Sequence, residues 1–399
     1  MTGIWALAAL WLGLALLASL LSIWLKIATA LSEIVVGTIA QLVIGAAIGS
    51  AVLGTSESWI KFLSGAGAIV LTFLAGAELD PVVFRAKWKE AGAIGFASFL
   101  LPFLGCAAAA RWLLGWDVMP SWLAGVAMST TSVAVVYAVM LEFGFNKTGY
   151  GKTVLAACFV TDLGTVVALG LIFAPFTYKT LIFLGFGAIF FVVLPRITPR
   201  FFRLYGDRPS ELEAKFLLLC LFGMGALATW ADSEAVLPAY LIGMVLAGTV
   251  GKDHALIRRL RTLTFGLLTP FYFIRAGSFV SIPQLAAAPA AFITMLAVKI
   301  AMKVVGVYPV TQIFGAPKRE ATYTTLLMST GLTFGTISAL FGLSHGIIDQ
   351  AQYSALVAAV IASAVLPTIV ANAFYMPRHL LPARAAGNAP AELTDVGAE

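Results

Sequence analysis

Apolar runs of about twenty residues succeed one another along the whole chain, and charged residues collect in the short stretches between them. A helix needs about 20 residues to cross the hydrocarbon core of a bilayer. Thirteen spans can be placed on this pattern, over about 4–25, 33–53, 60–79, 91–113, 120–141, 149–175, 179–199, 213–230, 234–250, 260–281, 285–309, 321–344 and 350–376. Composition agrees. The 399 residues are 60% hydrophobic and 11% charged, where a soluble domain carries about 25% charged residues. The expected class is an all-α polytopic membrane protein.

Charge sets the expected orientation. Most Lys and Arg residues lie on one set of alternating loops, among them Arg85, Lys87 and Lys89, then Arg196, Arg200, Arg203 and Arg208, then Arg258, Arg259 and Arg261. The opposite loops hold Lys61, Arg111 and Lys179. The positive-inside rule makes the rich side cytoplasmic, with the N-terminus outside and the C-terminus inside. The net charge of +6 thus reports topology and not a nucleic-acid partner. The first span lacks a basic leading region, and Lys26 follows it, so it reads as a membrane span and not as a signal peptide. Cys106, Cys158 and Cys220 each lie in an apolar run and read as small core residues. His254, His345 and His379 fall in loops or the tail, so no metal cluster is visible.

The chain repeats itself. Met-Ser-Thr begins at Met128 in "AMSTTSVAVVYAV" and again at Met328 in "LMSTGLTFGTISAL", two hundred residues apart. Both triplets fall mid-span, in the fifth and twelfth segments, which cross in opposite directions. This is the pattern of two inverted six-helix repeats, about 4–175 and 213–376, joined by a linker span at about 179–199. Ser129, Thr130, Thr131 and Ser132 interrupt one segment; Ser329, Thr330, Gly331 and Thr333 interrupt the other. Ser and Thr compete with the helical ladder, and Gly loses backbone entropy in a helix. Unwound backbone at membrane depth survives only where it is buried in protein or lines a cavity. Helix packing through small polar residues is the alternative reading.

One carboxylate lies in the sixth span. Asp162 sits in "LAACFVTDLGTVVALG", and a charge at the bilayer centre costs about 2.5–3.5 kcal/mol on insertion scales. Such residues usually face a water-filled cavity and serve ion or proton movement. With Thr161 and the hydroxyls and carbonyls of the broken helices, Asp162 makes an all-oxygen site suited to a hard cation. Burial favours the neutral carboxyl and a bound cation favours the carboxylate, so proton and metal ion compete for one group. If only the two loaded states cross, cation is exchanged for proton. A protonated Asp bonded to a neighbouring helix is the other reading.

Other charges lie within spans. Lys299 is mid-span in the eleventh segment, placed to balance the half-helix ends or to pair with Asp162. Lys303, one turn on and nearer the end, is expected to snorkel to the interface. Arg275 in "TPFYFIRAGSFV" needs an anionic partner, a carbonyl set or water. Glu78 in "FLAGAELDP" ends the third span, where a hydrated helix-end acid is an equal reading.

These residues resemble the monovalent cation:proton antiporter-2 family over nearly the whole chain. "FLAGAELD" looks like that family's Gly-Leu-Glu-Leu-Asp stretch, "MSTTSVAVV" its broken helix, and "VTDLGTVVALGLI" its ion-binding helix. "LPAYLIGMVLAG" and "LTPFYFIRAGSFV" match its later spans, and Lys299 falls where the family has a lysine. The resemblance implies elevator-like alternating access, a homodimer, no cofactor, and transport of sodium, potassium or lithium against protons. It places the chain in the inner membrane of a bacterial or archaeal cell. Two features depart from the pattern. Thr161 stands where members often have Asp, Asn or Gln, which removes a titratable group and implies electroneutral exchange. "STGLTFGT" lacks the charge that many members carry in the twelfth span, and Arg275 is the expected substitute, opposite Glu78. Residues 377–399, rich in Ala and Pro, are too short for a domain and read as a disordered cytoplasmic tail without the nucleotide-binding domain of potassium-efflux members. The competing functions are a sodium-coupled symporter of a small organic anion and a channel. No nucleophile–base pair or phosphate-binding loop suggests an enzyme.

Overall fold

In lipid every backbone polar group must be satisfied within the protein, and a helix does this within its own segment. The computed structural model describes residues 3–25, 28–47, 53–77, 81–145, 148–173, 177–206, 208–231, 233, 235–287 and 289–380. Among them, each of the thirteen expected spans is helical and no strand occurs. The first four are α1 (Ile4–Leu25), α2 (Thr29–Ala47), α3 (Ser58–Ala77) and α4 (Pro81–Trp112). The fifth is split into α5 (Val118–Ser129) and α6 (Val133–Glu142). Then come α7 (Gly149–Phe173), α8 (Tyr178–Tyr205), α9 (Leu212–Trp230) and α10 (Val236–Leu246). The tenth comprises α11 (His254–Leu263), a π-helical turn over Thr264–Leu268, and α12 (Thr269–Ser278). A short α13 (Ile282–Ala287) leads into α14 (Pro289–Ile313). The twelfth is split into α15 (Lys318–Met328) and α16 (Thr333–Ser344), and α17 (Gln350–Val370) is the last.

Among the borders that differ from the expected ones, those of α2, α4 and α11 have identifiable physical reasons. α2 starts four residues early, with the Thr29 hydroxyl of its first turn 3.0 Å from that of Ser22 on α1, and this carries Glu33 into the protein at 2% exposure. α4 starts ten residues early across a kink at Lys87 (φ −120°, ψ 25°), so Arg85, Lys87 and Lys89 sit on a helical extension, with Lys87 paired to Glu90 at 3.0 Å. α11 is amphipathic: Asp253 caps it by accepting from the Leu256 amide, Leu256, Ile257 and Leu260 are buried, and Arg258 and Arg259 face outward.

The helices form two groups. One gathers α4, α5, α6, α7 and α14 to α17 around the two broken helices. The other gathers α1, α2, α3 and α8 to α12. Exposed apolar side chains on α1 (Trp5, Leu16, Trp24) and α8 (Leu181, Ile189, Val192) present the outward faces that lipid requires.

Within the second group α3 and α10 touch backbone to backbone. A Cβ on Gly243 would lie 2.8 Å from the Ala77 amide nitrogen, and one on Gly76 would lie 3.0 Å from that of Met244. Only glycine allows this approach. Gly243→Val should therefore lower stability by about 1–3 kcal/mol, the usual effect of overpacking. The check is the thermal midpoint of detergent-solubilised protein, with Gly223→Ala as control, since a Cβ there meets nothing within 4 Å. Equal midpoints for the two variants would refute the close crossing.

Candidate functional site at the crossing of two broken helices

Each broken helix leaves amides and carbonyls that its own ladder does not use. α5 stops at Ser129 because Thr130 turns extended (φ −63°, ψ 152°); α16 begins only after Leu332, at φ −151° and ψ −75°. The two breaks meet and satisfy each other. The Ser132 amide donates to the Thr330 carbonyl at 3.0 Å, and the Thr131 hydroxyl donates to the Met328 carbonyl at 2.8 Å. Other hydroxyls close local turns: Ser129 onto the Val126 carbonyl, Thr130 onto Ala127, Ser329 onto Thr325 and Thr330 onto Leu327. Ser129, Thr130, Thr131, Ser132, Ser329 and Thr330 are all buried, whereas Thr333 is only half-buried.

α7 lies against this crossing. Thr165, nearly one turn beyond Asp162, reaches the Ser129 hydroxyl at 3.2 Å, and Cys158, one turn before it, puts its sulfur 3.6 Å from that of Met328. Residues three and four apart share a helix face, so Asp162 points at the crossing from between those contacts. It is 1% exposed, and its Oδ1 has no hydrogen-bond partner among the described residues. A buried carboxylate oxygen without a donor is costly unless something else comes to it. A cation or a proton is what would satisfy it.

Two lysines one turn apart on α14 serve the two breaks. The Lys303 ammonium donates to Ser98 Oγ at 2.7 Å, to the Ser129 carbonyl at 2.9 Å and to Thr131 Oγ1 at 2.9 Å. It uses all three protons and caps the negative end of α5. Lys299 donates to Ser363 Oγ at 3.0 Å. Its Nζ occupies the space that a side chain at Gly331 would fill, with Thr130 Oγ1 also at that spot. Lys303 interacts electrostatically with Asp162 and with Lys299.

The expected site residues thus fall into place unevenly. Asp162, Ser129, Thr130, Thr131, Ser329, Thr330, Gly331 and Lys299 come together. Thr161 is buried beside Asp162, but its hydroxyl donates to carbonyls of Gly95 on α4 and Ala157, each at 3.1 Å, so it ties helices together. Lys303 does not snorkel: it is 0% exposed, and three buried acceptors hold it more favourably than the interface could. Arg275 is away from the crossing. Its Nε donates to the Thr55 carbonyl at 3.0 Å and its guanidinium lies over the Phe279 ring, with no carboxylate paired to it among the described residues. Glu78 lies outside the described residues. Sequence reading passed over Ser98, Thr165 and Ser363, ordinary small residues in apolar runs, and Tyr240, whose hydroxyl crosses from α10 to the Phe159 carbonyl at 3.0 Å.

Comparison with known proteins agrees with this architecture. The family model described as "Sodium/hydrogen exchanger, transmembrane" matches residues 10–374. A probable Na+/H+ antiporter 3 of Methanocaldococcus jannaschii is 24% identical over 352 residues, covering 84% of this chain and 89% of that protein. Cation/H+ antiporter 17 of Arabidopsis thaliana is 26% identical over 375 residues, and the chain spans 45% of that longer protein. The solved structure of the sodium proton antiporter MjNhaP1 from Methanocaldococcus jannaschii at pH 8 shares the fold, with TM-score 0.67 over 92% of this chain and 95% of that one at 16% identity. An all-helical membrane protein with crossed broken helices, matched over nearly its whole length, belongs to the sodium/hydrogen exchanger family.

Proposed function

We propose that the chain exchanges one monovalent cation, sodium in first place, for one proton across an inner membrane of a bacterial or archaeal cell. The observation that carries this reading is the buried Oδ1 of Asp162, which lacks a donor among the described residues and faces two interrupted helices. One carboxylate takes a proton or a cation in turn, and the hydroxyls and carbonyls of the breaks are the hard oxygen ligands a sodium ion accepts. The antiporter names of the relatives support the same exchange. The one-for-one ratio rests on the neighbour of Asp162 being Thr161, a group that does not titrate. Glu33, the buried carboxylate on α2, belongs to the other helix group. In this reading the group holding the broken helices moves against the group holding α3 and α10, the two halves of the chain are inverted repeats, the N-terminus lies outside, and two copies associate through the second group.

Proteoliposomes with an internal pH reporter test it. Wild type should move protons when a sodium gradient is imposed, at a rate unchanged when the membrane potential is clamped to different values. A rate that follows the potential would refute the one-for-one ratio. No proton movement with sodium, lithium or potassium would refute exchange itself.

A further inference from the structure

A cavity of about 160 Å³ opens between the two helix groups, away from Asp162. Lys61 and Ser64 of α3, Tyr272 and Arg275 of α12, and Ser344 and His345 at the end of α16 line its polar side. None of the lining residues is Asp or Glu. The guanidinium of Arg275 is fixed by its Nε bond to Thr55 and its place over Phe279, which leaves the terminal nitrogens for the cavity. Lys61 is exposed and forms no ion pair among the described residues, Glu57 one turn before it included. A cation on its way to Asp162 would be repelled here.

Chemistry and depth decide what would be attracted. Lys61 and Arg275 supply two full positive charges, and α3 adds about half a charge from its N-terminus. The C-terminal ends of α12 and α16 oppose with about half a negative charge each. The balance is strongly positive. A planar guanidinium, an ammonium and hydroxyls are the donor set that recognises a tetrahedral oxyanion. At about 30 Å³ for each water, the volume holds roughly five waters, room for a single phosphate group and its hydration. Lys61 is in the first turn of its span, and Arg275 and Ser344 are in the last turns of theirs, the depth at which lipid headgroups lie.

We infer that this cavity binds a phosphate-type oxyanion, free in solution or on a phospholipid headgroup. Because its walls come from both helix groups, the bound anion ties α16 to α3 and α12 and slows exchange. The slowing rests on the proposed function, while the binding does not.

The test uses the full chain in phosphatidylcholine nanodiscs, with labelled inorganic phosphate in one arm and phosphatidylglycerol retention by native mass spectrometry in the other. Wild type should bind in at least one arm, which identifies the source. Lys61→Gln should bind about tenfold more weakly, the loss of one charge-assisted hydrogen bond, and Lys61→Arg should restore binding. Lys61 is exposed, so its variants fold even if Arg275→Gln does not. Absence of binding in both arms, or equal binding by Lys61→Gln, would overturn the site. Proton flux in liposomes is then read with and without the anion that binds. Flux slowed in wild type and not in Lys61→Gln supports the tie between groups. Undiminished flux with the anion demonstrably bound overturns that tie alone.

Discussion

Asp162→Asn should reduce sodium-driven proton flux to that of empty vesicles while leaving the protein as stable as wild type or more so. Asn keeps the shape and one carbonyl oxygen but neither titrates nor carries charge. If proton and cation share this group, neither half of the exchange survives. Stability runs the other way. The carboxylate is buried with an oxygen that no donor satisfies among the described residues, and the nearby Lys303 charge offsets only part of the cost of that burial. A neutral amide removes that penalty. Measured together, flux and thermal midpoint separate a transport role from a structural one. Residual sodium-dependent flux in Asp162→Asn would remove this residue from the exchange. A large fall in the midpoint would mean that the carboxylate is a structural group, held by a donor in the fold.

The spans, the two breaks and Asp162 were legible because each departs from a strong background. Twenty apolar residues in a row have one explanation at this frequency, and a lone Asp or a Ser-Thr cluster mid-span is conspicuous against it. What crosses between helices was not legible. Nothing local marks Ser98 or Ser363 as the acceptors of Lys303 and Lys299, since that depends on how α4 and α17 lie against α14. The contacts of Arg275 with the Thr55 carbonyl and the Phe279 ring were not legible for the same reason: span order does not say which helix ends meet. Glu33 was set at a span border, and the earlier start of α2 buried it. For Lys303 a usable signal existed. Lys299 and Lys303 are four apart, and residues at that spacing share a helix face. If Lys299 faces the core, Lys303 does as well, whatever its distance from the end.

That geometry leads to an ordering opposite to the one depth along the helix suggests: Lys303→Met should destabilise the protein more than Lys299→Met. Methionine keeps much of the aliphatic stem and removes the donors. At Lys299 the loss is one bond, to the Ser363 hydroxyl, which already donates to the Val360 carbonyl and stays satisfied. At Lys303 three acceptors are left. Two of them, Ser98 Oγ and Thr131 Oγ1, lie 3.3 Å apart and can bond to each other. The Ser129 carbonyl has no such recourse, because it ends α5 where the ladder stops. One buried acceptor left without a partner costs about 1–3 kcal/mol, and losing the cation at a helix C-terminus adds roughly 0.3–1 kcal/mol. Removing a buried charge returns part of this as relieved desolvation. The unpaired carbonyl and the helix end outweigh that return because the ammonium was already solvated by three oxygens, so the net loss should be about 2 kcal/mol. Thermal unfolding of the two variants in one detergent decides the matter. A midpoint for Lys299→Met at or below that of Lys303→Met would show that the second break, not the first, depends more on its lysine.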